Sequence, residues 1–220
     1  MSEVSDPIFA KIARRYDRIN RILSLGKDRK WRAEGVEMLE SGLVLDLGCG
    51  TGDTDFEDRT VIGVDPVMEM LVLSPVPSRV AAIGEQLPIR SDSLDGVFSA
   101  FVFRNLTSVE DTLREVERVL RPGASAVVVD LSRPTNRFLR LLHQIGTAII
   151  LPLVGLLFGW APREYWYLHK TLDSLPQPDE LYAGRGLAVE EIWRAGVFGF
   201  VYSVRLRKRR RALAADSEAA

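Results

Sequence analysis

The sequence predicts an open, doubly wound α/β domain built on a mostly parallel sheet, and three observations predict it. Short apolar runs alternate with segments of helical period between Leu43 and Leu131, the pattern of strands joined by helices. The first run, Leu43–Leu47, ends in a turn with glycines on alternate positions, Gly48, Gly50 and Gly52. The second, Val61–Val64, ends in Asp65, where sheets of this class present a carboxylate to a ribose. At 220 residues, 46% of them hydrophobic and 27% charged, the chain is long enough for one such domain with a full core.

The elements follow in order. Ile8, Ile12, Ile19, Ile22 and Leu23 recur at helical spacing, which predicts an amphipathic helix from Asp6 to Ser24, stopped by Gly26. A second helix is expected over Lys30–Leu39. Strands are expected at Leu43–Leu47, Val61–Val64, Val80–Ile83 and Leu94–Ser99, then a helix at Val109–Leu120 and a strand at Ser125–Leu131, with Arg121-Pro122-Gly123 as the break between them. The stretch from Asp53 to Val61 is too short for a full helix, so the first crossover is expected to be a turn or bare loop. Ile145–Trp160 is the most apolar run, yet shorter than the roughly 20 residues a membrane span needs, and Pro152 should interrupt any helix in it. It reads as a buried helix, a lid over an apolar substrate or a segment dipping into a bilayer interface. Residues 197–207 offer barely one long strand, so the last strand of the sheet is expected to be truncated. The layout is then one domain over 1–211, with a helical cap at 1–40, a helical lid inserted at 133–186 after the fifth strand, and a disordered tail at 212–220.

Charge and rare residues exclude several classes. The net charge of −1 gives no overall pull toward nucleic acid, and no aromatic residues interleave the basic runs, so no nucleic-acid partner is expected. Basic residues crowd two places: Arg14, Arg15, Arg18, Arg21, Lys27, Arg29, Lys30 and Arg32 near the start, and Arg205 to Arg211 near the end. Each cluster reads either as a solvated face or as attraction to an anionic membrane surface, on the order of 1 kcal/mol per residue. The lone Cys49 excludes an internal disulfide, and His143 and His169 lack metal-ligand spacing, so no metal is expected. The polar first residues carry no signal peptide, which predicts a cytoplasmic protein, with peripheral membrane contact as a further expectation.

The glycine spacing selects the cofactor. A dinucleotide turn reads G-x-G-x-x-G, whereas this one places Asp53 where the third glycine should stand. The order Asp46, Gly48, Gly50, Gly52 resembles motif I of class I S-adenosylmethionine-dependent methyltransferases. Several further segments resemble the ubiquinone/menaquinone C-methyltransferase family: Phe9 to Arg32, with Tyr16, Asp17, Asn20 and Trp31; Phe103-Arg104-Asn105-Leu106; Arg114 to Gly123; Tyr165-Trp166-Tyr167-Leu168; and Leu175 to Leu181. The resemblance runs from about Phe9 to about Phe200.

That resemblance implies a Rossmann-like sheet of the class I methyltransferase type, S-adenosylmethionine as cofactor, and methyl transfer to a ring carbon of a prenylated quinol of the demethylmenaquinone kind. It implies cofactor contacts from Asp46, Gly48, Gly50, Thr51, Gly52, Asp65 and Pro66. The usual acid or amide for the adenine falls on Ile83 when Leu87-Pro88 sets the register, which leaves Glu85 as the nearest substitute contact, and Ala100 stands where a serine is usual. On the acceptor side it implies Arg104, as a water-orienting or phenolate-stabilising group, with Asn105, Tyr16 and Asp17. The lid's usual tyrosine pair is His143 and Gly146 here. Two other functions stay open at this point: methylation of another apolar or lipid-like acceptor, and a binding or accessory role on a degenerate methyltransferase fold.

Overall fold

The computed structural model describes residues 7–157, 176–182, 186–196 and 199–210. Residues 158–175 lie outside this set, and with them Trp160, His169 and the Tyr165–Leu168 motif; so do Arg211 and the tail at 212–220.

The chain opens with α1 (Pro7–Leu23) and α2 (Asp28–Val36). It then alternates through β1 (Leu43–Leu47), β2 (Thr60–Asp65), α3 (Met68–Leu71), β3 (Ser78–Ala81), β4 (Leu94–Ala100), α4 (Val109–Val119) and β5 (Leu120–Leu131). After β5 come α5 (Arg137–Leu157), α6 (Pro178–Leu181), β6 (Leu187–Ala195) and β7 (Val201–Lys208). Seven strands form one sheet in the order β3-β2-β1-β4-β5-β7-β6. Every pairing among β1 to β5 is parallel, and β7 runs antiparallel to both of its neighbours.

Period-two burial explains why the strands are apolar throughout. Leu45, Leu47, Val97, Ala126, Val128, Tyr202, Val204 and Leu206 pack on one face with Leu113, Val116 and Tyr182. Val44, Phe98, Val127, Val129 and Val201 pack on the other with Trp31, Val36 and Phe56. A parallel sheet covered on both faces demands this double burial. Helix α4 is set by Ser108, whose side chain accepts a hydrogen bond from the Asp111 amide at 3.1 Å, with Glu110 and Asp111 in the first turn where the helix dipole favours acids. It buries Thr112, Leu113, Val116 and Val119 at helical spacing.

The β1–β2 crossover holds no helix: residues 48–59 pass as turns and loop. Phe56 substitutes on that face, buried edge-on against Phe98 with ring centroids 5.5 Å apart. Leu120 belongs to β5 and not to α4: its ψ is 140°, and it pairs with Leu94, while Pro122 restricts Arg121 to the extended region and so keeps the helix from running on. β3 begins two residues earlier than its apolar pattern suggests.

Two expectations are corrected. The last strand is not truncated, because β6 and β7 pair antiparallel along most of their length and complete the sheet. The polar residues of β6 hid it: an edge strand buries little, and a bulge between Val189 and Glu191 breaks its alternation. Pro152 does not interrupt the apolar helix, since α5 runs continuously from Arg137 to Leu157. One missing N–H removes a single ladder bond and bends a long helix without ending it.

The basic run at the end of the chain is largely ion-paired within the sheet. Arg205 lies 2.8 Å from Glu40 and 3.3 Å from Glu190, and Lys208 lies 2.6 Å from Asp92. No helix among the described residues is long and apolar enough to cross a membrane.

Candidate active site

The carboxyl ends of β1 to β4 open into one cavity, of about 1000 Å³ with its open mouth included. In an open α/β sheet this edge is where ligands bind. The turn after β1 supplies Gly48, Cys49, Gly50 and Thr51; the end of β2 supplies Asp65, Pro66 and Val67. Glu85 follows β3, and Ala100, Phe101, Val102 and Asn105 follow β4. Helices α1 and α2 close the side with Phe9, Tyr16, Asp17 and Arg32.

Ten of the residues singled out from the sequence therefore share one cavity: Tyr16, Asp17, Gly48, Gly50, Thr51, Asp65, Pro66, Glu85, Ala100 and Asn105. Three do not reach its surface. Gly52 has φ +76° and backs onto the next loop, where an added Cβ would stand 2.5 Å from Ser74 Oγ. Its glycine serves packing of the turn, not ligand approach. Asp46 lies within β1, behind the turn. Arg104 points its guanidinium at the fully buried Asp130, Nη1 to Oδ1 at 2.8 Å. Asp130 also accepts the backbone N–H of Phe103 at 2.9 Å and of Leu131 at 2.7 Å, so it anchors the short turn that carries Asn105 to the cavity.

Both oxygens of Asp65 are engaged by backbone amides, Oδ2 by Gly50 at 2.9 Å and Oδ1 by Val67 at 2.8 Å. These bonds fix the carboxylate at the strand tip and leave each oxygen a second lone pair. Burial raises the Asp65 carboxyl above its ordinary value against the pull of those two amides. Glu85 Oε1 holds the amides of Thr107 and Ser108 at 2.9 and 3.0 Å, so this side chain braces the loop after β4 as well as facing the cavity. Thr51 donates to Asp17 Oδ1 at 2.5 Å and thereby ties α1 to the glycine turn. Burial also pushes the Cys49 thiol up, which keeps it protonated and unreactive.

Two polar atoms at this edge are buried without a partner, Asp46 Oδ2 and Arg32 Nε. Such atoms are costly unless a ligand or water completes them. Together with Asp65, Asp17 and Glu85 they make a site with more acids than bases, which suits a cationic nucleoside. Gly50 adds room, since a Cβ there would meet nothing within 4 Å. Among the described residues no three His, Cys, Asp or Glu gather as a metal site.

Asp46 makes the site pH-sensitive. Burial pushes its carboxyl up from 3.8 to about 7; nearby Arg32 pulls it down and Asp65 pushes it further up. The raised value means the folded chain keeps a proton that the unfolded chain loses. The stability contributed is full below about 3.8 and falls as pH rises through about 7. A ligand cation favours the ionised form, so binding releases that proton. The affinity for S-adenosylhomocysteine, whose ammonium stays charged, should rise with pH by up to about tenfold per unit below 7 and level off above it. Calorimetry between pH 5.5 and 8.5 measures this. A flat profile in the native protein, or the same slope in Asp46→Asn, would remove Asp46 from the account.

A seven-stranded sheet in this order, with a glycine turn, a strand-tip acid and a cavity at the carboxyl edge, defines a class I methyltransferase, and S-adenosylmethionine is its cofactor. The chain belongs to the ubiE/COQ5 methyltransferase family, whose model matches residues 2–186. It is 34% identical over 195 residues to the demethylmenaquinone methyltransferase of Roseiflexus sp. (strain RS-1), covering 82% of each chain. It is 35% identical over 191 residues to the ubiquinone/menaquinone biosynthesis C-methyltransferase UbiE of Syntrophotalea carbinolica, covering 79% of this chain and 80% of that one. Among solved structures, a S-adenosylmethionine-dependent methyltransferase from Thermotoga maritima superposes with a TM-score of 0.64 at 18% identity, over 92% of this chain and 98% of that one. Another from Aquifex aeolicus gives 0.54 at 19% identity, over 90% and 97%. At such identities the likeness is one of fold.

Proposed function

We propose that the chain methylates a ring carbon of a prenylated quinol of the demethylmenaquinone kind. The observation that carries this reading is the match, over about four-fifths of both lengths, to relatives named for that reaction. S-adenosylmethionine supplies a methyl group on a sulfonium, an electrophile that needs a carbon nucleophile held in line and kept from water. The residues that would hold it are Gly48, Gly50, Thr51, Asp65, Pro66, Glu85 and Ala100 along the sheet edge, with Asp46 acting from behind the turn.

The acceptor side falls to Tyr16, Asp17 and Asn105. A quinol carbon becomes nucleophilic as its hydroxyl ionises, so a proton acceptor has to stand near the ring. The carboxylates of the cavity differ in their freedom for this. Asp65 holds two amides with both oxygens, Glu85 braces the loop after β4, and Asp53 lies 3.5 Å from both Arg21 and Arg29. Asp17 engages Thr51 through one oxygen, and its other oxygen is the one assigned to the ring hydroxyl. Arg104 then acts through Asp130 as a positioning residue for Asn105. It does not act as a base, for which a guanidinium is too basic.

A prenylated acceptor resides in lipid, which bears on how the protein meets it. Helix α1 exposes Arg14, Arg15 and Arg18, and α5 exposes Phe138, Leu141, Leu142, Ile145 and Ile149. Basic and apolar surfaces of this kind suit reversible contact with an anionic bilayer. One assay tests both parts. The purified protein is given S-adenosylmethionine and a reduced prenylated naphthoquinol, either carried in anionic vesicles or as a short-chain soluble form, and product is read by mass spectrometry. A new C-methyl on the ring is expected with both forms, with high salt slowing only the vesicle reaction. No C-methylated product from either form would sink the acceptor assignment; salt-independent turnover on vesicles would sink the membrane contact.

A further inference from the structure

We infer that Gln177 and Arg194 form a polar clasp that seats α5 and the Asn105 turn, and so sets how tightly the acceptor is held. The inference rests on the acceptor reading above and involves no residue placed on the cofactor. Between β5 and α6 the chain leaves the sheet at Ser132 and Arg133 and returns at Gln177. Gln177 joins the two ends, because its Nε2 donates to the Arg133 carbonyl at 3.2 Å. Its Oε1 accepts from Arg194 Nη2 at 2.9 Å, and Arg194 Nη1 donates to Ser132 Oγ at 2.9 Å. One guanidinium on β6 thus holds both ends of the excursion, which the planar fork of an arginine permits and a lysine does not. Among the described residues the acceptors it meets, Ser132, Gln177 and the Gly199 carbonyl, are all neutral. Gln177 is itself fixed: its carbonyl accepts the amides of Glu180 and Leu181 at 3.0 and 2.9 Å, and Pro178 starts the helical turn.

Two walls of the acceptor side lean on this clasp. The first is α5. The Arg133 side chain lies 3.2 Å from His143 Nδ1 and donates to Thr147 Oγ1 at 3.0 Å, both on α5. His143 packs on Phe200 with ring centroids 5.4 Å apart, and Phe200 meets Trp31 edge-on at 6.1 Å. Trp31 belongs to α2, the helix that lines the cavity with Arg32. The second wall is the turn after β4. Tyr182, which follows α6, is buried with its hydroxyl 3.1 Å from that of Tyr202, and its ring lies 5.7 Å from that of Phe103. Phe103 opens the short turn that carries Asn105. Arg194 and Asp130 are both register partners of Tyr202, so the clasp stands on the same row of the sheet as the Arg104–Asp130 pair. The cofactor contacts lie elsewhere: Gly48, Asp65 and Glu85 belong to β1, β2 and the loop after β3, across β4 from the strands that carry the clasp. A change at the clasp therefore reaches the acceptor and spares the cofactor.

Gln177→Glu separates positioning from stability. Its carboxylate still accepts from Arg194, now as a charge-assisted pair, but it cannot donate to the Arg133 carbonyl. The melting temperature should therefore rise or stay within about 3 °C of the native protein. The KM for a soluble short-chain naphthoquinol should nevertheless rise about tenfold, while the affinity for S-adenosylhomocysteine changes less than about twofold. A purely structural role predicts the reverse, a KM that stays native because the fold is no weaker. Arg194→Lys, which cannot bridge Ser132 and Gln177 at once, should raise the same KM, and it takes the place of Gln177→Glu if that variant fails to fold. An unchanged KM in the folded variant, or a loss of S-adenosylhomocysteine affinity as large as the rise in KM, would overturn the inference. A native protein that does not methylate the quinol would sink the acceptor reading instead, and amide hydrogen exchange then decides. Faster exchange over α5 in Gln177→Glu, with α4 unchanged, supports the clasp; exchange over α5 equal to native overturns it.

Discussion

Asp65→Ala should abolish tight cofactor binding, weakening S-adenosylhomocysteine by a hundredfold or more in a protein that remains folded. The carboxylate is placed to accept the ribose hydroxyls with the lone pairs its two amide bonds leave free. Charge-assisted hydrogen bonds are worth roughly 1.5–3 kcal/mol each, so losing two removes about 3 kcal/mol or more. A second loss adds to this. Gly50 N–H gives up its acceptor, and the glycine turn loses the bond that fixes it against β2. The fold should tolerate the change, because burial already makes ionisation of Asp65 unfavourable and its removal relieves that. Calorimetry with S-adenosylhomocysteine, beside a thermal melt, measures both. Affinity unchanged in a folded Asp65→Ala variant would refute the ribose assignment.

What the sequence disclosed, and what it hid, follows from how local each signal is. β1, β2, β4 and β5 are buried on both faces, so each reads as an apolar run, and their ends fall within a residue or two of the expected places, except that β5 reaches back through the Arg121–Gly123 break to Leu120. The missing helix after β1 was countable from chain length. β6 was hidden because an edge strand carrying Glu190, Glu191 and Arg194 has no continuous apolar pattern to show. The fate of the basic run at 205–208 was hidden for a related reason: its partners Glu40, Glu190 and Asp92 are distant in sequence, so a paired face looks like a free one.

The site shows the same division. Turn glycines and strand-tip acids announce themselves, because backbone geometry needs those residue types at fixed spacing. Side-chain direction does not. Gly52 and Arg104 belong to the right segments but face the Ser74–Pro75 loop and Asp130. Arg32 stood in a basic cluster, and nothing local separated it from its neighbours; only its stacking on Phe101 and its buried Nε do. Asp130 carried no signal either, an acid at the end of an apolar strand whose importance lies wholly in what it touches.

Asp130 accordingly supports the largest expected effect on stability. It is fully buried and accepts from Arg104 Nη1, Phe103 N–H and Leu131 N–H. Asp130→Ala would leave the Arg104 side chain, which is only 10% exposed, as an uncompensated buried cation with two amides stripped of their acceptor. Removing one partner of a buried pair costs about 3–5 kcal/mol, a large share of the roughly 5–15 kcal/mol that holds a domain folded. For a chain of this size that lowers the melting temperature by about 6–20 °C. Removing both charges together should be far less harmful, since an apolar pair needs no solvation. Asp130→Leu with Arg104→Met should therefore melt well above Asp130→Ala. Function separates structure from positioning. If the pair places Asn105, the double variant should regain stability and cofactor affinity while turnover stays low. A melting temperature for Asp130→Ala within about 2 °C of the native protein would dismiss the ion pair as a stabilising element, and full turnover in the double variant would dismiss its positioning role.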